Sequence, residues 1–253
     1  MTASTAAEVV RVWPAGGLAP LSDEELLDAY SVPRGRPVVR VNFVTSIDGA
    51  VTIKGYSAGL GGPSDKRVFD LLRVWCDGLM VGAGTLRHEG YGALRLPDDH
   101  RDLRKRNGLA DNPTLVVVSG RLDLDPHHRM LANAPVRPIV LTHGGSSERQ
   151  RKLLSTVTEV IVCGESRIDF RVAMDTLARR GLRHVLSEGG PHVLGALTAA
   201  DVVDEMCLTV SPKLAGAGGG RIIAGELSPP REMMLVHVLA AGDELLLRYA
   251  RRR

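Results

Sequence analysis

Aromatic residues are scarce in this sequence, and their scarcity argues against a protein that binds nucleic acid. They make up 4% of 253 residues, whereas proteins that bind single strands combine basic grooves with stacking aromatics. The net charge is only +3, and much of the excess lies in stretches 101–106 and 251–253, which contain no aromatic residue. We interpret these stretches as solvated loops and a frayed end, and the charge still suits a small anionic partner such as a phosphorylated metabolite or nucleotide.

Cysteines are few, and long apolar runs are absent. Cys76, Cys163 and Cys207 are odd in number and lie in apolar segments, which is typical of buried side chains rather than of disulfides or a metal cluster. No apolar run reaches the roughly 18 residues that a membrane span needs, and the N-terminus lacks the pattern of a secretory signal. We therefore expect a cytoplasmic protein with no metal and no membrane partner.

Apolar runs alternate with helical patterns from Val38 onwards. The pattern predicts strands at 38–45, 78–82, 114–119, 137–142, 158–163 and 183–187 and helices near 64–76, 147–155, 169–180 and 191–200. Runs such as LVVV and PIVL are continuous, as in strands that are covered on both faces. This indicates an α/β protein with a mostly parallel central sheet and helices on both faces.

The pattern changes at both ends of the chain. After Asp204, three apolar segments follow one another without a helical interval, which predicts antiparallel strands at the C-terminal end. Residues 1–36 are expected to form an N-terminal extension with a short helix over 23–30, because Ser22 and Glu25 have the spacing of a capping box. The main domain is then 37–253.

The stretch TSIDG, which contains Asp48, allows two interpretations. Asp-Gly between apolar runs is a strong signal for a tight turn, since Gly tolerates positive φ. Alternatively, Asp48 at the end of a buried strand is an acid that faces a substrate. The residues themselves leave both open.

Two glycine loops follow buried strands. Gly82, Gly84 and Thr85 follow the strand at 78–82, and Gly189 and Gly190 precede a helix that begins at Pro191. Backbone N–H groups in such loops bind phosphates, and ligands of open α/β sheets bind at the carboxyl ends of the strands. The loops predict a phosphate or pyrophosphate site, although compact structural turns would have the same sequence.

Two further segments could contact a nucleotide or a substrate. Ser119 and Arg121 follow another buried strand and suit an adenosine 2′-phosphate, so NADPH is the expected form if a nicotinamide cofactor binds. An exposed Ser-Gly turn would have the same sequence. In the helix near 64–76, with Ser64 as its expected N-cap, Arg67 and Arg73 lie about 240° apart around the axis. These two arginines therefore serve different ends of a ligand, or are solvated.

Five motifs, taken in order, resemble the reductase of riboflavin biosynthesis, which has a dihydrofolate-reductase-like fold. They are SIDG, the helix ending in Arg73, VGAGT, SEGGP, and DE followed by SPKLAG. The likeness runs from about Pro37 to Tyr249. It implies a homodimer that uses NADPH to reduce 5-amino-6-(5-phosphoribosylamino)uracil to the ribitylamino compound.

The resemblance also implies roles for individual residues. Asp48 matches the catalytic acid beside the nicotinamide, and Glu188 matches the acid at the edge of the substrate. Ser64, Arg67 and Arg73 match positions associated with the substrate and its phosphate. The positions that match NADPH contacts are Gly82, Gly84, Thr85, Ser119, Gly189 and Gly190.

Two positions of the expected substrate pocket differ from the usual pattern of that family. Asn42 stands where bacterial members commonly have Lys, and Glu89 stands where Asp is usual, four residues after Thr85. A phosphorylated pyrimidine or a pteridine-like molecule is the expected substrate, and dihydrofolate is the main alternative. A non-catalytic protein that binds a nucleotide or nucleic acid is the alternative of another class.

Overall fold

The structure is a computed structural model that describes residues 7–17, 19–88 and 92–252. Its strands are β1 (Val9–Trp13), β2 (Val38–Ser46), β3 (Gly78–Gly82), β4 (Thr114–Val118), β5 (Ile139–Thr142), β6 (Glu159–Val162), β7 (His184–Ser187), β8 (Glu205–Ser211), β9 (Met233–Ala241) and β10 (Glu244–Arg251). Its helices are α1 (Asp23–Ala29), α2 (Pro63–Trp75), α3 (Ala83–His88), α4 (Asp98–Arg106), α5 (Arg129–Ala132), α6 (Glu148–Leu154), α7 (Phe170–Arg179) and α8 (Pro191–Ala199).

All ten strands form one sheet in the order β1-β9-β10-β8-β2-β7-β3-β4-β5-β6. The pairs from β8 to β6 are parallel, and the pairs that join β10, β9 and β1 are antiparallel. The predicted parallel sheet with an antiparallel end is therefore confirmed. Strand β8 joins the two parts: it pairs antiparallel with β10, as predicted, and also parallel with β2, because helix α8 returns the chain to the same end of the sheet.

The sheet separates two hydrophobic cores, because successive side chains of a strand point to opposite faces. In β3, Leu79 and Val81 belong to one core and Met80 belongs to the other. Helices α2, α3, α5 and α6 contribute to the first core, whereas α7 and α8 contribute to the second. Helices therefore cover both faces of the central strands, as the continuous apolar runs predicted.

The described part of the N-terminal segment belongs to the same sheet and core. Strand β1 pairs with β9, and Val9 and Leu26 are fully buried in the first core. Arg40 on β2 and Arg248 on β10 donate to carbonyls at the end of α1, and both bond the buried Glu205. The predicted extension thus supplies an edge strand and a packed helix, and the predicted capping box of α1 is present.

The N-cap of α2 lies two residues before the predicted one. Gly62 is the N-cap and Pro63 takes the first turn, where a missing N–H costs nothing. The prediction of Ser64 as N-cap was therefore wrong. Ser64 is buried inside the helix, and its hydroxyl donates to the carbonyl of Ala7 at 3.2 Å.

The two basic stretches are not free loops, which corrects their interpretation from composition. Residues 98–106 form α4, and Arg104 within it is 1% exposed. Its guanidinium donates to the carbonyls of Arg73, Val74 and Cys76 at the end of α2. At the C-terminal end, Arg251 is part of β10 and bonds Asp201. Arg104 and Arg251 are therefore held by backbone carbonyls and by a carboxylate and are not free in solvent.

The cysteines are buried and unpaired, as predicted. Within the described ranges, no helix combines the length and apolar character needed to cross a bilayer. In the same residues, no three His, Cys, Asp or Glu side chains cluster as a metal site requires.

Candidate active site

A cleft of about 770 Å³ opens at the carboxyl ends of the central strands. Its walls come from β2, one side of α2 with its preceding loop, Thr85 of α3, and the loop between β7 and α8. Among the predicted site residues, those that line it are Asn42, Arg73, Thr85, Glu188 and Gly190. The topology explains this gathering, since the carboxyl ends of parallel strands share one edge of the sheet.

Arg73 and Glu188 form a bidentate ion pair in the cleft. Arg73 donates from Nε and Nη2 to the two oxygens of Glu188, each at 2.7 Å, and its guanidinium stacks 4.2 Å from the centre of the Phe69 ring. The Glu188 side chain is buried, and its backbone N–H donates to the carbonyl of Met80. Such an arrangement holds a carboxylate in one orientation at the cleft wall.

The glycine loops meet beside this ion pair. The N–H of Gly82 donates to the carbonyl of Gly189 at 2.7 Å, and Gly189 has φ of +116°, which favours glycine. A Cβ on Gly190 would lie 3.1 Å from the Thr85 hydroxyl, and one on Gly82 would lie 3.0 Å from Val193. Gly82 is buried, so a side chain there would force the two loops apart, whereas Gly190 lines the cleft, where a side chain would crowd Thr85.

Two predicted substrate residues lie on another side of α2. Ser64 faces the N-terminal segment, and Arg67 bonds Asp23 at 2.7 Å and the carbonyl of Leu21. Neither lines the cleft. The structure therefore separates Arg67 from Arg73, as the 240° difference around the helix predicted.

Asp48 is a turn residue, but it does not line the cleft. Gly49 has φ of +84°, and its N–H donates to the carbonyl of Ser46, so the predicted turn is confirmed. The exposed carboxylate of Asp48 accepts from the Ser46 hydroxyl and from the N–H groups of Ala215 and Gly216. These hydrogen bonds, the Ser46 contact first, lower the pKa of Asp48 to about 2. These hydrogen bonds anchor the loop, and the catalytic role of Asp48 stays a prediction.

The remaining predicted residues lie outside the cleft or outside the described residues. Ser119 is buried, and its hydroxyl accepts from the N–H of Leu122, while Arg121 is exposed beyond the end of β4. Gly84 lies in α3, where a Cβ would meet no atom within 4 Å. Glu89 is outside the described residues.

Sequence reasoning missed Asp65 and Phe69, which line the cleft together with Arg73. The three residues are spaced four apart on α2, so they form one stripe along the helix. Burial raises the pKa of Asp65, a hydrogen bond from the Thr209 hydroxyl opposes this shift, and the nearby Glu244 adds to it. The four-residue spacing was the signal that could have identified the cleft-facing side.

Comparison of the chain with known proteins identifies its family. Residues 37–247 match the model of the RibD C-terminal domain. The chain is similar to two proteins named 2,5-diamino-6-ribosylamino-4(3H)-pyrimidinone 5′-phosphate reductase. The protein from Archaeoglobus fulgidus is 30% identical over 72% of this chain and 83% of that protein. The protein from Methanothermobacter thermautotrophicus is 27% identical over 85% of this chain and 98% of that protein.

A solved structure supports the same assignment. The crystal structure of a pyrimidine reductase-like protein from Corynebacterium diphtheriae superposes with a TM-score of 0.80 at 27% identity, covering 90% of this chain and 98% of that chain. The predicted dihydrofolate-reductase-like fold is thereby confirmed. The chain belongs to the RibD C-terminal domain family and is an oxidoreductase of the reductase type.

Proposed function

We propose that this reductase uses NADPH to reduce the ribosylamino group of a phosphorylated pyrimidine intermediate of riboflavin biosynthesis to the ribitylamino group. One observation carries the proposal: the ion pair of Arg73 and Glu188 shares a cleft with the loop of Gly190 and Thr85. These are the substrate-side and cofactor-side residues that the family resemblance implies. The names of the archaeal relatives support the same substrate class.

The residues around the glycine loops fit a dinucleotide. Gly82 lets the two loops pack closely, and Gly190 lines the cleft without a side chain that would cover its backbone. A pyrophosphate needs such close approach to backbone N–H groups. Ser119 and the exposed Arg121 at the end of β4 would hold the 2′-phosphate that distinguishes NADPH from NADH. When bound, the reduced nicotinamide supplies a hydride.

The chain's own contribution is orientation of the substrate. In the ring-opened imine form, the ribosyl carbon accepts the hydride and the imine nitrogen accepts a proton, which gives the amine. Glu188 can accept a hydrogen bond from a substrate hydroxyl or amino group, because Arg73 already holds its carboxylate in place. Alignment of reacting groups in this way contributes several kcal/mol to catalysis, typically about 7 to 11 when it is complete.

The test is an assay of purified protein with the phosphoribosylaminopyrimidine and either NADPH or NADH. We expect oxidation of the nicotinamide together with a product that is two hydrogens heavier by mass spectrometry, and a clear preference for NADPH. Absence of turnover with both cofactors would contradict the proposed function. Turnover without a preference would contradict only the assignment of Ser119 and Arg121.

We also propose that the protein is a cytoplasmic homodimer. Strands β8 and β10 present alternating apolar side chains that are partly buried, such as Leu208 and Leu247, or exposed, such as Leu245. Such a face suits a second copy of the chain, and unpaired cysteines suit a reducing compartment. Light scattering after size-exclusion chromatography tests the dimer, and a Leu247→Glu variant should be monomeric; a monomeric wild-type protein would contradict it.

A further inference from the structure

A second cavity, of about 100 Å³, lies at the C-terminal end of α8, away from the cleft. Helix α8 begins at Pro191, which lines the cleft, whereas Thr198 near its end lines the second cavity. Most of the helix, about 10 Å along its axis, thus separates the two sites. The proposed reaction does not use the second cavity.

Three arginines surround one aspartate at the polar side of the second cavity. Arg231 donates from Nε to Oδ1 of Asp201 at 3.3 Å. Arg251 donates to the same carboxylate and, at 2.8 Å, to the backbone carbonyl of Asp201. Arg171 lies 3.9 Å from the carboxylate. Asp201 can neutralise only one of these three cations, so the cluster keeps two net positive charges.

Asp201 holds the arginines, and Arg231 still has donors that the described residues do not use. Asp201 follows the C-cap Ala200 with φ of +64°, at a position where glycine is usual. Aspartate tolerates this conformation, and here its carboxylate orients Arg231 and Arg251. Arg231 Nη1 donates to the carbonyl of Pro229, but its Nη2 donates to none of the described residues. This nitrogen carries N–H groups that an anion can accept.

The opposite side of the second cavity is apolar. It consists of Val203, Met206, Ile223, Leu227 and Met233, and the first three belong to or pack against the second core. An apolar cavity of about 150 Å³ takes up benzene, so the second cavity suits a ligand of roughly five or six non-hydrogen atoms. A molecule with a negative group at one end and a short branched apolar tail at the other matches both sides, whereas free phosphate would leave the apolar side uncovered.

The connection between β8 and β9, residues 212–232, runs from the cleft to the second cavity. At the cleft, the carbonyl of Gly219 accepts from the N–H of Val51 at 3.1 Å, and Val51 lines the cleft. Further along, the N–H of Ala224 donates to the carbonyl of Pro191 at 3.1 Å. The same connection supplies three of the residues that line the second cavity. A ligand that fixes the connection there would therefore also restrict one wall of the cleft.

We propose that the second cavity is a ligand site for a small branched carboxylate of the isobutyrate type, and that the β8–β9 connection transmits its occupancy to the cleft wall. The carboxylate pairs with Arg231 within the positive cluster, and the branched tail covers the apolar side. The site gives the reductase a means of responding to a metabolite other than its substrates. This inference does not depend on which pyrimidine the enzyme reduces.

The experiment uses isobutyrate and its uncharged counterpart isobutyramide as probes of the full chain. Met206 and Met233 line the second cavity, so their isotope-labelled methyl groups report binding by NMR, and the core residue Met80 is an internal control. We expect both cavity signals to shift saturably with isobutyrate, with a Kd of about 1 mM, as suits so small a ligand. Isobutyramide should bind about tenfold more weakly, since it lacks the charge.

A pair of variants tests the role of the arginine. Arg231→Gln removes a charge from the wall of the second cavity, whereas Arg221→Gln makes the same change at an exposed position of the same connection. The first variant should weaken isobutyrate binding by about tenfold and the second by less than about twofold. Thermal unfolding shows whether Arg231→Gln folds as wild type does, and the comparison of the two probes on wild type requires no variant.

Hydrogen exchange tests the link to the cleft. With saturating isobutyrate, the amides of Val51 and Ala224 should exchange more slowly by about threefold or more, because the connection that bonds them becomes restricted. Unchanged exchange at saturation would overturn the link.

Three results would overturn the site itself. The first is the absence of saturable shifts with isobutyrate, and the second is equal binding of isobutyramide. The third is a pair of methionine signals that follow the protein concentration and not isobutyrate, since a second copy of the chain would then occupy the second cavity.

Discussion

Arg67 and Arg73 were both expected to contact the substrate, yet their side chains have different partners. Arg73 lies in the cleft and bonds Glu188, whereas Arg67 bonds Asp23 of the N-terminal segment. The angular separation of the two positions was predictable from helix geometry. Which of the two faces the cleft was not, because this depends on how α2 packs on the sheet.

This difference predicts unequal effects of the same substitution. Lysine cannot replace the bidentate geometry of arginine, so Arg73→Lys should lower kcat/KM by about 10- to 100-fold, which corresponds to about 1.5 to 3 kcal/mol for a charged hydrogen bond. Arg67→Lys should change it less than about threefold, because exposed ion pairs contribute little. Steady-state kinetics on the proposed substrate measures both. Equal losses in the two variants would mean that Arg67 also serves the reaction.

His237 predicts a dependence of stability on pH. It is buried and packs edge-on against Tyr30 with 4.7 Å between ring centroids, and its Nε2 has no hydrogen-bond partner among the residues that the structure describes. Burial, together with the charges of Arg248, Arg11 and Arg40, lowers the pKa of His237 to about 4, from an ordinary value of 6.5. In the unfolded chain the ring takes up its proton at the higher pH, so stability falls as the pH decreases from about 6.5 to about 4.

The size of the effect follows from the shift in pKa. Each unit corresponds to about 1.4 kcal/mol, so His237 should account for a loss of roughly 3 kcal/mol in the free energy of unfolding across this range. His237→Phe keeps a ring against Tyr30 but cannot titrate. Urea denaturation at several pH values should show a correspondingly flatter profile for the variant. Parallel profiles for the two proteins would exclude His237 as the cause.

At the scale of elements, continuous apolar runs correctly predicted the strands that are buried on both faces, whereas helix α4 was not predicted. Strand β4 contains the run LVVV, and such a continuous apolar run indicates a strand covered on both faces without knowledge of distant residues. Helix α4 has the sequence DDHRDLRKR, whose composition resembles a solvated loop. It is held by Arg104, which donates to carbonyls about 30 positions earlier in the chain. Contacts of this kind leave no periodic signal.

Arg104 therefore predicts a large and specific loss of stability. Replacement of Arg104 by Met removes the donors that satisfy the carbonyls at the end of α2, which should lower the free energy of unfolding by about 3 kcal/mol or more. Arg106→Met, at an exposed position of the same helix, should change it by less than about 0.5 kcal/mol. Chemical denaturation distinguishes the two. A small effect of Arg104→Met would mean that water replaces the guanidinium.

On the scale of the whole molecule, the segment before residue 37 is integrated into the fold. The family match begins at residue 37, but β1 continues the sheet beyond β9 and α1 packs near α2. Strand β1 was not predicted, because VVRVW is short and only its first residue is fully buried. Its pairing with β9 joins residues more than 200 positions apart, and such a pairing has no local sign.

Because β1 is part of the sheet, we expect substitutions of two of its valines to change the stability of the protein by different amounts. Val9 is fully buried, whereas Val12 is 51% exposed. Val9→Ala should lower the free energy of unfolding by about 2 kcal/mol, since it removes buried methyl groups and leaves a cavity, and Val12→Ala should change it by less than about 0.5 kcal/mol. Thermal or urea denaturation of the full chain gives both values. Similar small effects would show that the segment is dispensable for stability.

Local properties could be inferred before any coordinates: the order of most strands and helices, the capping box of α1, the turn at Gly49 and the glycine loops at strand ends. They depend on side-chain periodicity and backbone preferences within a few residues. Only the folded arrangement established that Arg73 meets Glu188, 115 positions away, that Asp65 faces the cleft, and that Asp48 bonds the backbone of Ala215 instead. Such contacts arise from the packing of the whole sheet, and a cleft is formed by residues that share only their position in space.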